Sequence, residues 1–302
     1  MSAVPTRVTQ GMLNIQLLRN LNNNLTRMDN LQNQLATGKR INKPSDDPVG
    51  ISFSLRYRSE LALNDQHQRN VDGAISFLDY TDTMLDQAGS VIQRARELAV
   101  AGATGTNSEE SMNAIKIEIN QLNEQLLGIA NSRFNGKYVF NGQKTDLKPF
   151  EDVSSAGITE TDTKDIEFEI GVGVRLPINK TASEVFGAPG GEDNIFNILN
   201  ELSNSLQNQD TKGVGNAIEL IDSRMNKLLA ARSDVGAKTN RIQLAEDRLK
   251  DIDINLQSLQ SKTEDADMSQ VITNLKMDEN VYQASLSAGA QLIRPSLADF
   301  LR

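Results

Sequence analysis

Apolar residues recur at intervals of three and four along most of the chain, which is the spacing of an amphipathic helix with one buried face. Such runs cover about residues 9–35, 49–101, 109–131 and 218–259, with further helix from about 194 and over about 268–293. The pattern predicts a mainly α protein built of long helices.

The most regular pattern is a heptad near the C-terminal end. Six apolar residues follow one another at intervals of seven: Ile221, Leu228, Val235, Ile242, Leu249 and Leu256. A strict heptad indicates coiled-coil-like packing, and a helix over 218–259 would be ~60 Å long. Arg232 and Thr239 occupy positions where a second apolar seam is expected. We therefore predict an elongated, coiled-coil-like helical rod, packed as a bundle with changing partners.

The helical period is lost between about residues 134 and 194, where Gly, Pro, Thr and Asp are frequent. Apolar residues from Ile166 to Ile178 alternate with other residues, which is typical of a strand or bent hairpin with one buried face. A second short strand is expected over 137–140, ending at the turn pair Asn141-Gly142. These features predict a small β insert. The aromatic content of 4% predicts that the chain elsewhere buries its apolar surface in thin strips.

These patterns divide the chain into three parts. Residues 1–45 and 262–302 are predicted to form a terminal helical domain that is flexible until assembled. Residues 46–139 and 195–261 are predicted to form the helical rod domain, and residues 140–194 the small β insert at the surface.

The linker after the first helix has the composition of a turn and is predicted to act as a hinge. Prolines bracket a Ser-Asp-Asp run whose side chains can cap the next helix. The predicted linker residues are Asn42, Pro44, Ser45, Asp46, Asp47 and Pro48.

Both chain ends are amphipathic helices that polar segments separate from the middle. An isolated helix of this length is marginal in water and depends on tertiary contacts for its stability. We therefore interpret the apolar stripes of the two ends as an assembly seam that neighbouring copies complete. The predicted seam residues are Met12, Ile15, Leu18, Leu21, Leu25, Met28, Leu275, Tyr282, Leu286 and Ile293.

Composition excludes several classes of function. The 40 acidic and 31 basic side chains give a net charge of −9, which argues against nucleic acid and against an anionic membrane surface as partners. The chain has no Cys and one His, so thiol catalysis, thiolate metal sites and His-based triads are excluded within one chain. The N-terminal residues have no apolar core of a cleavable signal peptide, so we expect a cytoplasmic protein or export by another route.

The remaining acidic residues have simpler interpretations than catalysis. Asp46-Asp47 with Glu60 is interpreted as a helix cap beside a hinge, because no complementary base is present. The spacing of a calcium loop is absent at Asp265 with Asp267 and at Asp278-Glu279. His67 lies in a polar segment and is predicted at the surface. We predict no catalytic residue, no cofactor and no bound metal.

Several ordered motifs carry a resemblance to a known family. They lie at residues 7–12, 35–48, 93–100, 106–108, 133–136, 236–242 and 295–301. In these segments the chain resembles the flagellin superfamily, most closely its hook-associated protein 3 branch. Pro44-Ser45-Asp46-Asp47-Pro48 stands where filament flagellins typically have Ala-Lys-Asp-Asp-Ala, which favours that branch. Residues 140–194 match only loosely.

The resemblance implies a structural, non-enzymatic subunit of the bacterial flagellum. Such subunits form a junction ring between the hook-associated protein 1 zone and the flagellin filament, with transient contact to the filament cap protein. The resemblance also implies self-association through the terminal helices, and extracellular delivery by the flagellar type III apparatus. A flagellar export chaperone would cover the C-terminal helix beforehand. The alternatives are a filament flagellin, a cytoplasmic coiled-coil scaffold and, least favoured, a glycosidase that uses two carboxylates.

Overall fold

The structure of the protein is a computed structural model that describes residues 10–104 and 108–292. Its helices are α1 (Gln10–Thr37), α2 (Pro48–Ala103), α3 (Glu109–Ala130), α4 (Val153–Ala156), α5 (Ala182–Phe186), α6 (Ile195–Gln207), α7 (Thr211–Glu264) and α8 (Met268–Leu292). Its strands are β1 (Arg133–Phe134), β2 (Lys137–Tyr138), β3 (Glu167–Gly171) and β4 (Val174–Pro177). The prediction of a mainly α protein with long helices is confirmed, and α7 extends beyond the predicted run at both ends.

The described residues form two compact units. The terminal unit contains those up to Ala62 and from Asp253 onward, and the central unit contains those from Leu63 to Ile252. The boundary between the units therefore falls inside α2 and inside α7. The three-part division predicted from the sequence stays a prediction.

In the central unit, the buried faces of α2 and α7 are formed by residues at intervals of seven. Two series on α2 are buried at intervals of seven, the first large and the second small: Val71, Leu78, Leu85 and Ile92, and Ala74, Thr81, Ala88 and Ala95. The predicted α7 series is buried from Ile221 to Leu249. The two helices are antiparallel, because Asn64 Nδ2 donates to Leu249 O at 3.0 Å and Arg232 Nε donates to Asp82 Oδ1 at 2.8 Å.

The predicted hairpin over 166–178 is present as β3 and β4, paired antiparallel with Phe168 opposite Leu176. The strand predicted over 137–140 is shorter, because β2 ends at Tyr138 and pairs with β1 around an Asn135-Gly136 turn with positive φ at both residues. The insert also contains α4 and α5, which the sequence pattern did not reveal. These helices are too short to show a helical period, and the Asp152 cap of α4 is a local signal.

Aromatic side chains are concentrated rather than spread along thin strips. Phe140, Phe150, Phe186 and Phe196 form one buried cluster with ring centroids 5.3–6.5 Å apart. Aromatic pairs at these distances add to the stabilisation from buried area. Three rings of the insert and Phe196 of α6 therefore form an aromatic part of the same core that contains the α2 and α7 seams.

Candidate assembly surfaces

In the terminal unit, α1 and α8 pack together as an antiparallel pair. Ala266 N–H donates to Gly38 O at 3.0 Å, and Arg27 lies 3.3 Å from Asp278 farther along the pair. At the other end the helices approach so closely that a Cβ on Gly289 would lie 2.6 Å from Leu17 Cδ2. Small residues at such crossings let two helices pack at short distance.

The contact faces of α1 and α8 follow alternating intervals of four and three, which is the spacing of a coiled-coil seam. The buried or half-buried positions with this spacing are Leu17, Leu21, Asn24, Met28, Leu31 and Leu35 on α1, and Val271, Leu275, Asp278, Tyr282, Ser285 and Gly289 on α8, and Gln34 and Glu279 are half-buried beside them. The terminal helices therefore satisfy one apolar face by pairing with each other.

A second apolar face of α1 remains open. Met12, Ile15 and Leu18 are 60%, 61% and 60% exposed, although each is a large aliphatic residue. Leu25 continues this outer face, and α8 exposes Ile272, Met277, Val281 and Leu286. Contiguous exposed apolar residues of this kind mark interaction surfaces.

The structure divides the predicted seam residues between these faces. The contact face holds Leu21, Met28, Leu275 and Tyr282, and the exposed surfaces hold Met12, Ile15, Leu18, Leu25 and Leu286. Ile293 lies outside the described residues. Sequence reasoning missed the polar and small members of the contact face, which only the unbroken four-and-three spacing could have revealed.

The contact face also contains a polar cluster. Asn24 is buried, and its Oδ1 accepts a hydrogen bond from Arg27, which also forms the ion pair with Asp278. A buried Asn at a seam position specifies the register of a coiled coil at a cost in stability. These three residues therefore favour the observed alignment of α1 with α8.

The predicted linker residues form a capped turn. Asp46 Oδ2 accepts hydrogen bonds from the backbone N–H groups of Lys43 (2.8 Å) and Asn42 (3.0 Å), and these bonds lower the pKa of Asp46. Asp47 Oδ1 accepts the N–H of Gly50 at 2.9 Å and so caps α2. Pro44, Ser45 and Pro48 lie exposed in this turn and at the start of α2, while hinge motion itself stays a prediction.

Close to the linker, the carboxylate of Glu264 joins several segments of the terminal unit. Glu264 is 1% exposed. Arg58 donates to both of its oxygens (2.9 and 2.7 Å), Lys39 Nζ donates at 2.8 Å, and Ser54 and Gln260 donate to Oε1. Burial alone would raise the pKa of Glu264, but these donors outweigh it and hold the pKa far below its usual range.

The backbone reinforces this junction. Arg40 N–H donates to Glu264 O at 2.6 Å, and Arg40 Nη2 donates to Thr263 O at 3.0 Å. The end of α1, the start of α2 and the turn between α7 and α8 are thus tied together around one buried carboxylate. The sequence pattern did not single out Glu264, because its charged partners Lys39 and Arg58 lie more than 200 residues away along the chain.

The acidic residues and the histidine considered in the sequence analysis can be located in the described part of the chain. No group of three or more His, Cys, Asp or Glu side chains in it could hold a metal ion. Asp267 caps α8 by accepting the N–H groups of Ser269 and Gln270. His67 is half-buried, with Nδ1 buried and without a hydrogen-bond partner among the described residues, so it is less exposed than the surface position predicted for it. None of the described helices has an apolar stretch long enough to cross a membrane.

The helical framework matches that of a known family. The model of the bacterial flagellin N-terminal helical region matches residues 8–145, and that of the flagellin C-terminal helical region matches residues 218–301, together more than two thirds of the chain. The chain belongs to the flagellin family. It is therefore a flagellin-family structural protein, and the unmatched residues 146–217 include the hairpin of β3 and β4.

Individual relatives fall into two groups. The chain is 28% identical to the flagellar filament 30.7 kDa core protein of Treponema maltophilum, over 85% of this chain and 86% of the relative. It is 24% identical to flagellar hook-associated protein 3 of Salmonella typhimurium, over 92% and 94% of the two chains. The fold resembles the crystal structure of flagellar hook-associated protein 3 from Legionella pneumophila, with a TM-score of 0.62, 17% identity, and coverage of 68% of this chain and 97% of that one.

Proposed function

We propose that this protein is a non-enzymatic subunit of the bacterial flagellum that forms the junction ring between hook and filament. The observation that carries the proposal is the open apolar face of α1, because Met12, Ile15 and Leu18 are largely exposed on a helix whose other face is already covered by α8. Neighbouring subunits would bury this face. The relatives named hook-associated protein 3 support the position at the junction.

The proposed partners follow from that position. Copies of the chain associate with one another, with hook-associated protein 1 on one side and with flagellin on the other, and contact the filament cap protein transiently. A flagellar export chaperone covers α8 before export through the type III apparatus, because α8 exposes apolar residues that would otherwise aggregate. The assembled subunit is extracellular and binds neither nucleic acid nor membrane.

Substitutions on the open faces test this proposal. Leu25→Asp or Leu286→Asp should leave the central unit folded, since both residues lie in the terminal unit and are exposed, yet abolish incorporation into flagella. Incorporation is measured by locating the variants in isolated hook–basal bodies, and folding by circular dichroism. Asn20→Asp, which lies off the line of Leu18 and Leu25 on α1, and Gln283→Asp on α8 are matched controls, because they add the same charge at exposed polar positions and should incorporate normally. A global loss of helix in the two leucine variants would contradict the prediction that the central unit stays folded.

A filament flagellin is the second candidate, since the Treponema relative is a filament core protein. The distinction lies in the growth of the assembly. Purified junction protein stops at short rings, whereas a flagellin extends into long filaments, so electron microscopy of the concentrated protein separates the two. A cytoplasmic scaffold, in contrast, would be retained inside cells that lack the flagellar export gate.

A further inference from the structure

One exposed line on α7 combines two cations with an apolar residue. Arg241, Leu244 and Arg248 follow at intervals of three and four, which places them on one face of the helix. All three are exposed, and Leu244 is 72% exposed, the largest value for any described leucine. An exposed leucine between two arginines has the composition of an interface patch rather than of an ordinary solvated face.

A second exposed line on α2 has the complementary character. Asp72, Ser76 and Asp79 follow at intervals of four and three and are all exposed. The hydroxyl of Ser76 is already satisfied, because it donates to Asp72 O at 2.9 Å. Two carboxylates therefore flank a small residue that leaves room for a larger side chain.

The two lines do not satisfy each other within one chain. Contacts at Asn64–Leu249 and Asp82–Arg232 bring Asp72 and Arg241 to the same height along the antiparallel helices. Nevertheless, among the described residues none of the four charged side chains has an ion-pair partner within 4.0 Å. Lys250 pairs with Glu246, and Asp72 makes only a smaller contribution to the raised pKa of Lys250.

We propose that the α7 line of one copy docks on the α2 line of the next copy, with Arg241 opposite Asp79, Leu244 over Ser76 and Arg248 opposite Asp72. When α2 is read backwards, its intervals of three and four coincide with those of α7. Opposite charges then meet at both ends, and the large side chain meets the small one. A shift by one heptad in one direction would place Leu244 over Arg69, which removes the space. A shift in the other direction would place Arg241 opposite Asp86, whose carboxylate is already paired with Arg232 at 2.6 Å.

The orientation of this contact points to a second copy as the partner. Because α2 and α7 are antiparallel within the chain, copies arranged in one direction around an axis bring α7 of one antiparallel to α2 of the next. A contact between two different faces is heterologous and repeats into rings or filaments. Exposed ion pairs add little affinity, so the contact sets register and orientation while the terminal apolar faces supply affinity. The inference rests on the proposed self-assembly.

Cross-linking tests the register directly, because the chain has no cysteine. Full-length Ser76→Cys and Leu244→Cys variants are mixed at low ionic strength and oxidised, so that a disulfide can only join two chains. We expect a cross-linked dimer from this mixture and little from Arg69→Cys mixed with Leu244→Cys. Equal yields from the two mixtures, or no cross-link at any concentration, would overturn the proposed contact.

Charge exchange tests the ion pairs. Adding Arg241→Asp and Arg248→Asp to the Leu244→Cys chain should lower the cross-linking yield by about tenfold or more, since like charges then meet. Adding Asp72→Arg and Asp79→Arg to the Ser76→Cys chain should restore it. Failure of this restoration would overturn the pairing.

The proposed function can fail separately from this contact. If Leu25→Asp incorporates into flagella normally while the cross-link persists, the proposed role of the terminal seam in assembly is wrong and the contact between α7 and α2 stands.

Discussion

At the residue scale, Glu264 is the clearest case of a side chain whose importance comes from distant partners. Asp46 and Asp47 bond backbone groups within four residues, so their capping could be predicted from the sequence. Glu264 instead bonds Lys39 and Arg58, and a sequence pattern holds no signal for contacts of this range. Local hydrogen bonds were therefore predictable at this site, and the buried ionic junction was not.

Glu264→Gln should destabilise the junction of the terminal unit by about 1–3 kcal/mol, because hydrogen bonds to a charged group are lost while side-chain volume is kept. The loss should stay below that of a fully buried pair, since Lys39 and Arg58 each keep a solvent-exposed side. Hydrogen exchange of peptides over residues 38–60 measures the effect. Glu279→Gln is the matched control, because its pair with Lys276 is exposed and should contribute little.

The same carboxylate predicts a pH dependence of defined sign. Because the folded-state pKa of Glu264 is lowered, its stabilisation is fully present above the unfolded value of about 4.3. It is lost as the pH falls below that value toward the folded pKa. The exchange difference between wild type and Glu264→Gln should therefore be constant from neutral pH to about pH 5 and shrink below about pH 4. A difference that grows on acidification would contradict the proposed role.

At the element scale, the pairing of α1 with α8 shows what apolar periodicity can and cannot predict. The terminal stripes were predicted to be seams, and the structure separates a contact face from an outer face on the same helix. Periodicity alone could not separate them, because Leu18 and Leu21 both fit an interval of three or four. The contact face also contains the polar residues Asn24 and Asp278, which favour the observed register. A pattern of hydrophobic residues does not include them.

Asn24→Leu tests that role. The substitution should make the α1–α8 pair more stable, by about 1 kcal/mol, because a buried polar group is replaced by an apolar one. It should also weaken the register, so that the purified chain forms more off-register and higher oligomers in sedimentation velocity. Asn23→Leu, at an exposed neighbouring position, is the control and should not stabilise the pair. A stable variant with unchanged oligomeric state would show that Asn24 does not specify register.

At the scale of the whole molecule, the two units differ in how their apolar surface is buried. The central unit combines paired heptad seams with the phenylalanine cluster, whereas the terminal helices share a single seam and leave an apolar face exposed. The heptad of α7 and the helical spacing of apolar residues in α2 made the first kind of core predictable. The phenylalanine cluster was not, because its members come from separate loops and helices, brought together by the fold.

This difference predicts unequal protection in the free chain. Amide exchange should be fast in α1 and α8 and slow in the buried stretches of α2 and α7, because few apolar contacts hold the terminal helices. In assembled flagella, protection of α1 and α8 should rise toward that of the central unit, since neighbouring copies cover the outer faces. Leu25→Asp should show the same exchange as wild type in the free state. If α1 and α8 of the free chain were already as protected as Val71–Ile92 of α2, the terminal helices would need no neighbours, and assembly would have to be driven by another surface.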